Sequence, residues 1–272
     1  MKKPIHFLLF AVLSLQLTNC SDNHQSKNSR FQNATTGIVG GTEVNPGDNV
    51  MVSTVGLYDR EKKSLCTGTL ISADLVLTAA HCIGSDPSKM VVYFGNDFKS
   101  PVKENFRPVV DAKANPNFGA KKGVNTGDIG LIRFNPGTGI PAGYSPARLL
   151  TDFSLLQKST IVVVSGFGLN WAWVVRSGAG RLRTTELDVY EPNFSETEVL
   201  LSQSLSKGVC SGDSGGPSYL EVNGHLYLWG VVSRGDSLPI PLTPDCFLFS
   251  VMTRIDSYRT WISETSQLLK RY

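Results

Sequence analysis

This 272-residue chain lacks several things that would define a class at once. It has no membrane-length apolar run: the stretch Ile5–Leu17 falls short of the roughly 20 residues a bilayer-spanning helix needs. It lacks surplus charge. The formal net charge is +3, but Lys2, Lys3, Lys27 and Arg30 all precede residue 38, and 22 basic residues balance 22 acidic ones from there on. A neutral body carries no electrostatic footprint for nucleic acid, so that class of partner is excluded. No closely spaced His/Cys/Asp set stands ready to hold a metal, and no cofactor is implied. Histidine itself is scarce: of four, only His81 and His225 follow residue 38. No internal repeat is visible. What is present is a composition 41% hydrophobic and 18% charged, which permits a buried core and argues against disorder.

The N-terminus reads as an export signal over residues 1–19, with Lys2 and Lys3 as its basic region and Ile5–Leu17 as its apolar one. Residues 20–37 are polar and read as a propeptide or tether. Five cysteines are present, at 20, 66, 82, 210 and 246. Exported chains favour disulfides, and an odd count leaves one cysteine to explain. Leu17-Thr18-Asn19-Cys20 resembles a bacterial lipobox, although Asn19 departs from the usual small residue. A lipid on Cys20 and a plain signal cut nearby are both open. With the lipid, Ser21 fits anchoring at the outer membrane; without it, the protein is secreted or periplasmic.

After Ile38 the chain shows short apolar runs rich in β-branched and aromatic residues and bounded by Gly, Pro and Asn. Met51–Tyr58, Thr69–Ala73, Met90–Phe94, Ile129–Phe134, Thr160–Val164 and Leu226–Val232 are examples. The pattern predicts an all-β sandwich or barrel. Asn223-Gly224 predicts a hairpin. A helix is expected over about residues 256–270, capped by Asp256 and burying Trp261, Thr265, Leu268 and Leu269. A shorter helix is expected around Ser195–Leu201. A cluster of prolines near Gly137–Arg148 marks a boundary between two halves.

The chemistry concentrates at Cys210-Ser211-Gly212-Asp213-Ser214-Gly215-Gly216-Pro217. Glycines around Ser214 let the backbone turn sharply and aim N–H groups at one point, which is what a tetrahedral oxyanion needs. A serine hydroxyl is a weak nucleophile and requires a base, and the base requires a group to hold its tautomer. His81, in Thr78-Ala79-Ala80-His81-Cys82, is the candidate base; His225 follows the Asn-Gly turn and is expected in solvent. Asp128, before the apolar run Ile129–Phe134, is the candidate carboxylate. Gly212-x-Ser214-x-Gly216 also matches the nucleophile elbow of an α/β-hydrolase, where histidine follows serine. Here the order is His, Asp, Ser, and that separates the two patterns.

These segments resemble the trypsin/chymotrypsin-like serine proteases. The resemblance rests on Ile38-Val39-Gly40-Gly41, Cys66 to Ile71, Thr78 to Cys82, Asp128 to Leu131, Ser165-Gly166-Phe167-Gly168, Gly212 to Pro217, Val232-Ser233-Arg234-Gly235 and Trp261-Ile262, in family order. It implies a peptidase region over 38–272: two six-stranded β-barrels of the chymotrypsin type, at about 38–145 and 146–255, followed by the C-terminal helix. It implies disulfides Cys66–Cys82 and Cys210–Cys246, leaving Cys20 without a partner. It implies that Ser214 attacks a peptide carbonyl, His81 moves the proton, Asp128 orients His81, and the N–H groups of Gly212 and Ser214 hold the oxyanion. Asp213 would pair with the free amine of Ile38, making the uncut chain a zymogen. Gly37 stands where an Arg or Lys would invite a trypsin-like activator, so the activating protease is unknown. The pocket would include Gly208, Ser233, Gly235 and Ser250, with no carboxylate at Gly208, favouring apolar or small side chains at the cleaved bond. Asp236 stands near the pocket mouth. Arg234 departs from the tryptophan usual there. Partners are then protein or peptide substrates. The alternatives are an inactive homologue that only binds partners and an esterase with the same triad.

Overall fold

The computed structural model describes residues 38–172, 176–204, 206–236 and 246–271, all within one unit, residues 33–272. The signal, the polar tether, Gly37, Cys20 and the proline-containing segment 237–245 lie outside the described residues, as does the side chain of Asp236.

Twelve strands build two barrels. In the first, β1 (Thr54–Asp59), β2 (Ser64–Leu70), β3 (Leu75–Thr78), β4 (Met90–Tyr93), β5 (Phe106–Ala114) and β6 (Gly130–Phe134) close in the order β1-β2-β3-β6-β5-β4. In the second, β7 (Ile161–Gly166), β8 (Arg183–Glu191), β9 (Glu198–Ser202), β10 (Pro217–Val222), β11 (His225–Asp236) and β12 (Phe249–Arg254) close in the order β7-β8-β9-β12-β11-β10. The winding is the same in both. Every barrel pairing is antiparallel, so each half forms through hairpins and short returns rather than long crossovers.

Closure removes the sheet edges and turns one face of every strand inward. Val55, Leu57, Val92, Phe94 and Phe134 fill the first barrel. Val162, Val164, Val199, Leu201, Trp229 and Met252 fill the second. Each such side chain contributes roughly 1.5–3 kcal/mol by leaving water. The Asn223-Gly224 hairpin forms as expected. Val222 pairs with His225, and both turn residues have positive φ, 51° and 77°, as a type I′ turn demands.

Three expectations need correction. Ser195–Leu201 is not a helix; from Glu198 it is strand β9. Its glutamates and leucines favour a helix locally, but β8 and β12 offer a ladder on both edges and Val199 and Leu201 enter the core. The start of the peptidase region does not join the first barrel. Thr42–Glu43 pair with Arg183–Thr184 of β8, and the Ile38 side chain is packed in the second barrel's core. Asp256 does not cap the terminal helix, because the Arg254 guanidinium holds its carboxylate at 2.7 and 3.0 Å. The turn Asp256–Tyr258 leads instead into α1 (Arg259–Lys270), which buries Ile262, Thr265 and Leu269 and leaves Leu268 exposed.

Helix α1 follows the second barrel in sequence but packs on the first. Leu269 shares an apolar cluster with Leu75, Leu77 and Leu131, and the Leu269 carbonyl accepts from Arg133, itself paired with Asp74 at 3.0 Å. Leu269→Ala is expected to lower stability by about 2–5 kcal/mol through the cavity it leaves. Urea unfolding should show a reduced midpoint with an unchanged slope; an unchanged midpoint would mean the helix is not a structural strap.

Candidate active site

The histidine and the carboxylate are brought together by strand pairing. Thr78, the last residue of β3, lies opposite Gly130, the first of β6. The turn Ala80–Cys82 that follows β3 therefore meets the segment that precedes β6. The two segments pack closely: a Cβ on Gly130 would meet Ile83 Cδ1 at 2.5 Å and touch Ala79 O and Ala80 Cα at 3.4 Å. Asp128 is 3% exposed and takes three hydrogen bonds on its two oxygens. Oδ1 accepts from the His81 backbone N–H at 3.1 Å, Oδ2 meets His81 Nδ1 at 2.8 Å, and Oδ2 also accepts from the Ser233 hydroxyl at 2.6 Å. The carboxylate thus fixes both the imidazole plane and its Nδ1–H tautomer, leaving Nε2 as the basic atom. The disulfide Cys66–Cys82 links β2 to this turn.

The serine turn comes from the second barrel and is bonded into the first. Thr67 N donates to Ser214 O at 2.8 Å, and Thr67 Oγ1 donates to Gly212 O at 2.8 Å while accepting from Phe167 N at 3.1 Å. A Cβ on Gly215 would meet Thr78 Oγ1 at 2.0 Å and Ala79 N at 2.9 Å, so the turn lies directly on the histidine's segment. Gly212 and Gly215 have φ of 101° and 79°, which only glycine adopts without strain. Among the described residues, the backbone N–H groups of Gly212 and Ser214 have no acceptor, although Asp213, Gly215 and Gly216 do. Two unoccupied N–H groups beside a half-buried serine make a place for a negative oxygen. His225 is exposed on β11, away from this arrangement.

Asp213 is fully buried. Its Oδ1 accepts from Gly168 N and its Oδ2 from Cys210 N, each at 2.8 Å. Gly166 and Gly168 leave the room it occupies, since a Cβ on either would fall within 2.6 Å of a carboxylate atom. Burial pushes its carboxyl up to about 7, against the opposing pull of those two N–H groups and the charge of Arg183. Ile38 is fully buried nearby in the chain's packing: Val39 bridges to Gly208, two residues before Cys210.

The expected pocket residues divide. Gly235 and Ser250 lie opposite each other on β11 and β12, and the Ser250 hydroxyl is buried with no partner among the described residues. Gly208 is buried, and the Gln203 amide lies where its Cβ would point, 2.7 Å away. Gln203 also accepts from Val209 N and donates to Cys246 O. The Ser233 hydroxyl donates to Asp128 Oδ2 at 2.6 Å and accepts from Arg234 Nη1 at 3.5 Å, at the register shift between Val232 and Arg234 in the β11–β12 pairing. The disulfide Cys210–Cys246 joins the serine loop to the segment entering β12. Cys66, His81 and Cys82 have metal-like spacing, but both sulfurs are in the disulfide, so the imidazole alone keeps a free donor. Sequence reasoning did not single out Thr67 or Gln203; Thr67 stood inside a quoted motif, and Gln203 carried no local signal.

Comparison with known proteins agrees with this geometry. The family profile described as Trypsin matches residues 38–262. A chymotrypsin of Phaedon cochleariae is 31% identical over 85% of this chain and 82% of its own length. The urokinase-type plasminogen activator of Gallus gallus is 28% identical over 73% of this chain, and the vitamin K-dependent protein C of Oryctolagus cuniculus is 28% identical over 76%. The chain spans about half the length of those two, 50% and 47%. With two antiparallel six-stranded barrels and a family match across most of its length, the chain belongs to the trypsin family of serine proteases.

Proposed function

We propose that the chain is an exported serine endopeptidase that hydrolyses peptide bonds through an acyl-enzyme. The observation that carries this reading is the 2.8 Å contact of His81 Nδ1 with a buried Asp128, beside a serine turn bonded into the same strands. Ser214 Oγ attacks the carbonyl while His81 Nε2 takes its proton. The carbonyl π electrons move to oxygen, which the Gly212 and Ser214 N–H groups receive. Collapse expels the leaving amine, protonated by His81, and water then repeats the steps on the ester. Each oxyanion donor is worth about 2.7–4 kcal/mol of barrier. Two disulfides among the described residues support an oxidising compartment, in keeping with the export signal. A lipid on Cys20 would hold the uncut chain at a membrane, and a cut before Ile38 would release it.

Activation by that cut follows from Asp213. In the uncut chain Ile38 has an amide rather than an amine, and the buried carboxyl lacks a full cationic partner. The new ammonium would hold it ionised and order the loop that carries Gly212. Gly208 carries no side chain and the neutral Gln203 amide lies beside it, so among the described residues no carboxylate stands at that position, which favours apolar or small side chains at the cleaved bond.

Ser214→Ala is expected to lower kcat by about a millionfold, and Asp128→Asn by about 10⁴ through the wrong imidazole tautomer. Fluorophosphonate labelling and peptide turnover check both; a protein that never labels belongs instead to the non-catalytic homologues, and one that turns over esters but not peptides is an esterase. For Asp213, the folded pKa of about 7 lies above the ordinary 3.8. Its contribution to stability in the uncut chain is therefore complete below about pH 4 and is lost as pH rises towards 7. Melting of Ser214→Ala protein, uncut and cut before Ile38, should show that loss in the uncut form and little of it in the cut form; equal slopes would remove the proposed ion pair. A peptide-library profile should show apolar or small residues at the cleaved position, and a profile dominated by Arg and Lys would overturn the pocket assignment.

A further inference from the structure

Arg234 and Glu198 form a pair that the chemistry above does not use. Glu198, on β9, is 1% exposed; Arg234, on β11, is 31% exposed. The guanidinium grips the carboxylate with both ends, Nη1 to Oε1 at 2.9 Å and Nη2 to Oε2 at 3.2 Å. The same two side chains hold the segment that leads to Asp128. Glu198 Oε2 accepts from Asn125 N at 3.1 Å, and Oε1 accepts from Thr126 N at 3.2 Å and Thr126 Oγ1 at 3.0 Å. Arg234 Nη2 donates to the Gly123 carbonyl. The neighbouring Thr197 donates to Asn125 Oδ1 from its N–H and its hydroxyl.

This segment belongs to the first barrel's connection between β5 and β6, yet its polar groups are satisfied by the second barrel. Two residues further on stands Asp128. Next to Arg234 in the chain stands Ser233, whose hydroxyl bonds Asp128 Oδ2. One assembly therefore reaches the triad carboxylate from both sides: through the backbone of 125–127 and through β11. A carboxylate as buried as Glu198 could not hold this place without a cation, because an unpaired buried charge costs about 3–5 kcal/mol. Asn125 has a positive φ of 52°, and Gly127 one of 68°, turns that asparagine and glycine accommodate.

We propose that Arg234 is a positioning residue: with Glu198 it clamps residues 123–126 to the second barrel and so sets the angle at which Asp128 meets His81. This rests on the hydrolytic reading of the site. The clamp acts on the base rather than on the substrate, so its loss reduces kcat and leaves KM nearly unchanged.

The test uses the protein cut before Ile38 and its Arg234→Met and Arg234→Lys forms, with wild-type labelling of Ser214 by a fluorophosphonate as the reference. Arg234→Met should lower kcat and the labelling rate by 10- to 100-fold, the size of effect a misplacement of about 1 Å produces, with KM within twofold. Amide hydrogen exchange at Asn125 and Thr126 should quicken while exchange in the barrel strands stays as in wild type. Arg234→Lys keeps the charge without the fork and should recover at least threefold of the lost rate. If Arg234→Met fails to fold, Glu198→Gln is judged by the same criteria, since the amide keeps an acceptor for Thr126 but loses the ion pair. Wild-type kcat in the folded variant, or a loss confined to KM, overturns the positioning role. Wild-type protein that does not label overturns the hydrolytic reading, and the catalytic role of the clamp with it.

Discussion

The site depends on a seam between two barrels, and one buried threonine at that seam bonds three backbone atoms of the second barrel. Thr67, on the second strand of the first barrel, binds Ser214 O, Gly212 O and Phe167 N from the second. Its own carbonyl accepts from Thr78, three residues before His81. None of these atoms takes part in proton transfer. They tie the serine turn of the second barrel to the strands of the first that lead to His81. A site assembled from two barrels needs such a lock, because neither barrel holds the three groups by itself. Helix α1 supplies a second tie further away, through Leu269 and Arg133.

Two buried aspartates near this seam have opposite surroundings and correspondingly different roles. Asp128 meets the His81 ring, the His81 backbone N–H and the Ser233 hydroxyl. Asp213 has two backbone donors and lies deep in the protein, where burial favours the neutral acid. The contrast arises from surroundings rather than from any difference in residue type.

Legibility in the sequence was uneven for reasons that can be traced to particular residues. The apolar runs at Met90–Phe94 and Ile129–Phe134 became strands because their β-branched residues fit a buried pleat. The segments that became β5, β8 and β12 gave weaker signals: Phe106–Ala114 and Arg183–Glu191 interleave charge with apolar residues. Ser195–Leu201 was misleading because Glu198 is a helix former in isolation. Its carboxylate is wanted by Arg234, Asn125 and Thr126, and those partners are remote in sequence. Ser233 was placed in the pocket by resemblance, and only the direction of its side chain shows that it bonds Asp128.

Glycine, cysteine and the order of three motifs are local properties, and they determined what could be known in advance. Gly212 and Gly215 announce a turn other residues resist. The cysteines announce cross-linking, with the pairing implied by the family resemblance, and the order His81, Asp128, Ser214 separates this site from that of the α/β-hydrolases. The same winding of both barrels left no repeat in the sequence, because winding depends on which strands pair and not on which residues fill them. The Thr67 lock, the Glu198–Arg234 clamp and the Gln203 amide over Gly208 were likewise decided only in three dimensions. Each joins residues far apart in the chain, and a polar side chain carries no mark of its partner until folding removes the water that would otherwise satisfy it.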